Sequence, residues 1–190
     1  MPPLDIARGE IEADMILDRL FRPKPAMTAG RALYASCVDQ ARSTSLYADL
    51  GVPDTVEGRF ELYTLHLSLL LDRMKGQGPA AADTSQALFD AYVQALDDSL
   101  REMGVGDLSV GKKMRKLAEA FYGRVKNYES AYSALPETGE LNALLARTVY
   151  ADLSAPPLDL MSDYVARQRR SLAAQVLDEL LTGTAQWTAQ

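Results

Sequence analysis

The stretch Phe60-Glu-Leu-Tyr-Thr-Leu-His-Leu-Ser-Leu-Leu-Leu71 constrains this chain more than any other. Phe60, Leu62, Tyr63, Leu65, Leu67, Leu69, Leu70 and Leu71 place apolar side chains all round a helix, and such a helix must be enclosed by other elements. Thr64, His66 and Ser68 interrupt it, and it falls short of the ~20 apolar residues that cross a bilayer. The predicted fold is therefore all-α, a single domain (residues 1–190) of six or seven helices around a central apolar helix at about 56–75. No alternating strand run, hairpin signal or fixed-period repeat competes with that reading. The chain is long enough to bury such a core without staples, and Cys37, its single cysteine, can form neither an internal disulfide nor a structural zinc site. The default role of Cys37 is a small buried hydrophobe.

The remaining punctuation places the other helices. Ile11, Met15, Ile16 and Leu20 mark a short helix near 9–21, stopped by Pro23 and Pro25. A second runs from about Thr28 to Leu50 through Leu33, Cys37 and Ala41 and ends at Gly51-Val-Pro53. Asp54, with Glu57 three residues on, reads as a capping box for the central helix. Residues 76–83 read as a flexible connection. A helix at about 84–103 carries Leu88, Tyr92, Leu96 and Leu100, with Gly104 at its C′ position. Another at about 110–134 carries Met114, Leu117, Ala118, Phe121, Val125 and Tyr128. A helix near 139–152 follows Thr138, and a last one runs from Pro156-Pro157 to about Leu181.

Charge is unevenly distributed. Net charge is −6, yet residues 101–130 hold seven Lys/Arg against four Asp/Glu, whereas residues 1–100 hold nine against fifteen. A basic segment in an acidic chain marks a local electrostatic footprint. Helix starts favour carboxylates, so Lys112, Lys113, Arg115 and Lys116 at the opening of the 110–134 helix break a local rule, at ~0.3–1 kcal/mol per exposed charge. Four such charges point to an anionic or polar partner, although a solvated helix face accounts for them equally well. Phe121 and Tyr128 lie on the apolar stripe and belong to the core, whereas Tyr122 and Gly123 lie off it. Asp107 and Ser109 are the candidate caps.

No catalytic constellation accompanies this segment. The sole histidine, His66, sits mid-helix and reads as a buried, hydrogen-bonded core residue; Glu61, five residues earlier, is about 140° away around the helix and cannot converge with it. Glu-x-x-His pairs and HExxH are absent, so no metal site is expected. Gly106, Gly111 and Lys112 have phosphate-loop spacing, but Lys113 replaces the metal-binding hydroxyl and no strand precedes them. Asp97 and Asp98 diverge by about 100° and are expected to be solvated or paired with basic residues. No enzyme is expected, and DNA is not an expected partner, since a patch this small holds phosphates weakly.

Two segments carry a family likeness. Gly51-Val-Pro-Asp-Thr-Val-Glu-Gly-Arg-Phe-Glu-Leu62 followed by Leu65-His-Leu67, and Leu100-Arg-Glu-Met-Gly-Val-Gly-Asp-Leu108 with Ala120-Phe-Tyr-Gly-Arg124, resemble the ubiquinol–cytochrome c chaperone family over about residues 30–150. The resemblance implies a helical, cofactor-free, non-enzymatic assembly factor that binds cytochrome b or its nascent chain and assists assembly of ubiquinol–cytochrome c reductase (respiratory complex III). Further implied partners are a second assembly factor, the ribosome, or anionic lipid at the membrane surface. The implied location is cytoplasmic and peripheral at the inner membrane in a bacterium, mitochondrial in a eukaryote. The acidic stretch from Met1 to Glu12 lacks the marks of a secretory signal or presequence and favours the former. A client of apolar helices and charged loops needs an apolar groove with a basic rim. Val105, Asp107, Leu108, Val110, Lys112, Lys113, Arg115, Lys116, Tyr122 and Arg124 are the partner-binding residues expected on that basis. The alternative is a helical module holding an amphipathic small molecule or anionic lipid in a central pocket lined by Phe60, Tyr63, Phe89 and Tyr92.

Overall fold

The computed structural model describes residues 25–188, so the helix expected near 9–21 lies outside the described residues. Within them are eight helices: α1 (Pro25–Ala41), α2 (Thr44–Ala48), α3 (Val56–Met74), α4 (Pro79–Glu102), α5 (Asp107–Ser133), α6 (Gly139–Arg147), α7 (Leu158–Ala174) and α8 (Leu177–Leu181). Two of them have only five residues, so the count exceeds the expected six or seven through short pieces. No strand occurs among the described residues, and none of the helices is long and apolar enough to cross a membrane.

The apolar helix is central, as its composition requires. α3 packs against α1, α4, α5 and α7. Leu62, Leu65, Leu67 and Leu70 are wholly buried, and Leu69 and Met74 are 1% exposed. Each such side chain contributes about 1.5–3 kcal/mol by leaving water. The polar interruptions are bonded within this core. Ser68 donates to the Leu65 carbonyl at 2.7 Å and shares a 2.8 Å bond with the Tyr132 hydroxyl. His66 Nδ1 lies 2.7 Å from the Leu62 carbonyl, which only accepts, so Nδ1 carries the proton. Nε2 then accepts from the Tyr164 hydroxyl at 2.7 Å, and that oxygen accepts from Gln40 Nε2 at 2.9 Å. The core-histidine expectation holds. Cys37 is likewise buried and free.

Several boundaries differ from the sequence reading. The helix expected from Thr28 to Leu50 breaks after Ala41, where the Arg42 and Ser43 amides turn back onto the carbonyls of residues 38–40. Thr55, not Asp54, caps α3, accepting from the Gly58 amide at 3.0 Å, because Asp54 is drawn into an ion pair with Arg59. The expected flexible connection is only a turn at residues 76–78, since Pro79 supplies a preset first helical position and α4 starts there. The final helix divides at Gln175, whose extended backbone ends α7. Gly30 is required by the α1–α4 crossing: a Cβ there would lie 2.5 Å from the Ala87 backbone.

Two outcomes follow from the core. Gly30→Ala forces α1 off α4 and costs about 1–3 kcal/mol, read as a lower denaturant midpoint with unchanged slope. Burial lowers the His66 pKa from 6.5 to about 4. Between those values the unfolded chain binds a proton that the folded chain refuses, so this contribution is complete above pH 6.5 and is lost as pH falls towards 4. About 2 kcal/mol disappears between pH 7 and pH 5, and a His66→Gln variant lacks that component of the slope.

Candidate partner-binding surface

α4 and α5 form a long hairpin whose outer face is polar. Its turn is built as the sequence predicts: Gly104 takes φ 76° and the Val105 amide bonds the Leu100 carbonyl at 3.1 Å, closing α4. α5 begins earlier than expected. Its N-cap is Gly106, so Asp107 occupies the first helical position and Lys112 lies more than a turn inside. The dipole penalty fades within the first turn, so the cations do not offend the helix start and the expected local conflict is absent. Gly111 is inside the helix, which also removes the phosphate-loop resemblance.

The apolar stripe of α5 faces the core, where Phe121 is 1% exposed and Tyr128 is wholly buried. Lys112, Lys113, Arg115 and Lys116 are exposed on the remaining surface. Val105, in the turn, is half-buried. Asp107 and Leu108 lie in the first turn of α5, and their side chains are outside the described set. Asp97 pairs with Arg101 one turn along α4, which fits the structural role expected for that carboxylate.

Two expected rim residues are used inside the fold. Val110 is 3% exposed and packs inward, because it lies four residues before Met114 and seven before Leu117 on the apolar stripe of α5. Arg124 donates from Nε at 3.1 and 3.0 Å to the two carboxylate oxygens of Glu61, and from Nη2 at 3.0 Å to Oε1. Glu61 has only 9% of its side chain exposed, so Arg124 is its obligatory counter-charge and is withdrawn from the rim. An acidic residue inside an otherwise apolar helix was the available signal for this pair, since a carboxylate is rarely buried unpaired.

Beside the pair runs an aromatic ladder. Ring centroids step from Tyr34 to Tyr92 (6.3 Å), Phe121 (4.9 Å), Phe89 (5.3 Å) and Tyr122 (5.2 Å). The ladder starts at half-buried Tyr34, passes through the core at Tyr92 and Phe121, and ends at Tyr122, which is 59% exposed. Tyr122, Phe89 and Phe121 form one wall of an open groove of about 750 Å³ between α3, α4 and α5, completed by Leu71, Met74 and Val125. The Lys75–Glu129 ion pair also borders it. Around α5, Arg115 and Lys126 project within about 40° of Tyr122, so cations flank the exposed ring. Lys126 belongs to the same basic segment but is not among the partner-binding residues expected from the sequence. Of the four aromatics expected around a central pocket, Phe89 lines this groove; Phe60, Tyr63 and Tyr92 do not, and Tyr92 is buried in the core. No His/Cys/Asp/Glu cluster among the described residues has metal-holding geometry.

The model for the family described as ubiquinol-cytochrome C chaperone matches residues 48–187. The chain is 27% identical over 162 residues to ubiquinol-cytochrome c reductase complex assembly factor 1 of Mus musculus, covering 84% of this chain and 54% of that protein. The Xenopus laevis protein of the same description is 25% identical over 162 residues, covering 84% of this chain and 80% of its own. The chain thus spans about half the length of the mouse relative, and the same share (54%) of the human one. It is also similar to a solved structure, the Cbp3 homolog from Brucella abortus, with TM-score 0.79, 37% identity, and coverage of 92% of this chain and 97% of that chain.

The two kinds of cation separate by mutation. Arg124→Ala leaves Glu61 buried and unpaired, and thermal or chemical unfolding should show a loss of about 3 kcal/mol. Lys112→Ala and Lys113→Ala should stay within about 0.5 kcal/mol of the parent, as solvated positions do.

Proposed function

The chain belongs to the ubiquinol–cytochrome c chaperone family, and from that premise we propose that it is a non-enzymatic assembly factor for ubiquinol–cytochrome c reductase that holds cytochrome b during assembly. The relatives it matches are named as assembly factors, not as enzymes. The observation that carries the reading to particular residues is the exposed Tyr122, fixed at the end of an aromatic ladder and flanked by cations over an apolar groove. A rigid aromatic anchor with a charged surround is the arrangement that concentrates binding energy in protein recognition. Apolar segments of the client would lie along Phe89, Phe121 and Tyr122. Its acidic loops or chain ends would meet Arg115 and Lys126 beside the ring, and Lys112, Lys113 and Lys116 where they reach around the other exposed sides of α5.

In this reading the α4–α5 turn with Val105, Asp107 and Leu108 borders the same face. On the same reading Val110 and Arg124 serve the fold first, Val110 as a buried stripe residue and Arg124 as the counter-charge of Glu61. The basic face would raise the encounter rate with an acidic partner and make capture weaken as salt rises.

In a strain lacking the gene, the wild-type chain should restore assembled reductase. Lys112→Glu/Lys113→Glu and, separately, Tyr122→Ser should lower the restored level by about fivefold or more while the purified variants remain folded. Full restoration by both variants would remove this surface from the mechanism. An intact reductase in the deletion strain would remove the assembly role itself.

A further inference from the structure

Beyond α8 the chain turns at Thr182–Gly183 and returns along α7 as an extended strap, residues 184–188. Two glutamines seven residues apart hold its main chain. Gln168 donates from Nε2 to the Thr188 carbonyl at 3.0 Å and accepts from the Thr188 amide at 2.9 Å. Gln175 treats Gln186 in the same way, donating at 2.5 Å and accepting at 3.1 Å. Side-chain amides spaced two helical turns apart thus pair with alternate residues of an extended chain, as a neighbouring strand does. Between the two clasps the Trp187 indole donates to Ser36 Oγ at 2.9 Å and sets its ring at 5.3 Å, edge-on, to His66.

Three features set this apart from an ordinary tail contact. The clasps read only backbone, so any extended segment satisfies them. Gln168 is wholly buried, so its amide needs a peptide unit opposite it whenever the site is closed. The strap is also an imperfect fit, because the Thr188 hydroxyl is buried without a partner. An isosteric residue with a methyl there removes that penalty. We propose that the Gln168–Gln175 face of α7, with the Ser36–His66 pocket beside it, is a receptor site for an extended segment of another polypeptide carrying an aromatic residue followed by a β-branched apolar one, and that residues 186–188 occupy it in cis until such a segment displaces them. The site is built from α1, His66 of α3, and α7 with its C-terminal Gln175, apart from the α5 surface, and does not depend on which client that surface takes.

The test uses the full chain and a fluorescein-labelled peptide of residues 184–190. Trp187→Ala/Thr188→Pro weakens the cis occupant by removing the indole and one clasped amide. Fluorescence anisotropy should show saturable binding of the peptide to this variant at an affinity at least about tenfold tighter than to the wild-type chain. Adding Gln175→Leu, at a half-buried position the fold tolerates, should weaken it about tenfold. A peptide with Val in place of the residue-188 threonine should bind about tenfold tighter, and one with Ala in place of the tryptophan should not bind. Equal affinity for both chains, no saturable binding to the variant, or indifference to Gln175→Leu overturns the proposal.

Discussion

The structure turns on one carboxylate inside an apolar helix. Glu61 stands among leucines of α3, and a carboxylate so placed is tolerable only with a counter-charge held at close range. Arg124 supplies it through a forked contact 63 residues away in sequence. A forked guanidinium is geometrically demanding, so the pair fixes the rotation of α5 about its own axis as well as joining α5 to α3. Phe121 and Tyr128 are then forced inward, and Tyr122 outward.

The surface chemistry is a consequence of that rotation. With α5 fixed, its cations other than Arg124 have no inward position to occupy, and Tyr122 caps the rings of Phe89 and Phe121 at the mouth of an apolar groove. Among the described residues the groove is lined by α3, α4, α5 and the turn at 75–78, and no fourth helix covers it. A fold with a well-filled centre therefore carries an exposed aromatic ring with Arg115 and Lys126 beside it and further cations around the exposed sides of α5. That combination suits holding a partner, and it needs no reactive group.

The helices were legible wherever burial imposes a local period. The stripes of α4 and α5, the C′ glycine at 104 and the buried His66 could all be read from residues within two turns of one another. What escaped was tertiary or marginal. Leu46 and Leu50 are four residues apart but lie about 140° and 180° around a continuous helix from Ala41, so the break at Arg42–Ser43 shows only as a shift of the apolar stripe, not as a breaker residue. The start of α5 was placed three residues late, and that shift alone created the false impression of cations at a helix N-terminus. Arg124 looked like one more member of a basic patch because its partner lies in another segment. Both members of the pair do lie in the two segments that carried the family likeness. The strap was invisible because its grip is on backbone, and backbone leaves no trace in residue type.

A photoreactive phenylalanine analogue at position 122, compared with the same analogue at position 160, tests the central claim most directly. Leu160 is 55% exposed at the start of α7, an element that does not border the groove, so both probes reach solvent. Irradiation of cells assembling the reductase should give a cytochrome b adduct from position 122 and none from position 160. An adduct from position 160 alone, or equal yields from both, would contradict the assignment of the α5 face as the working surface.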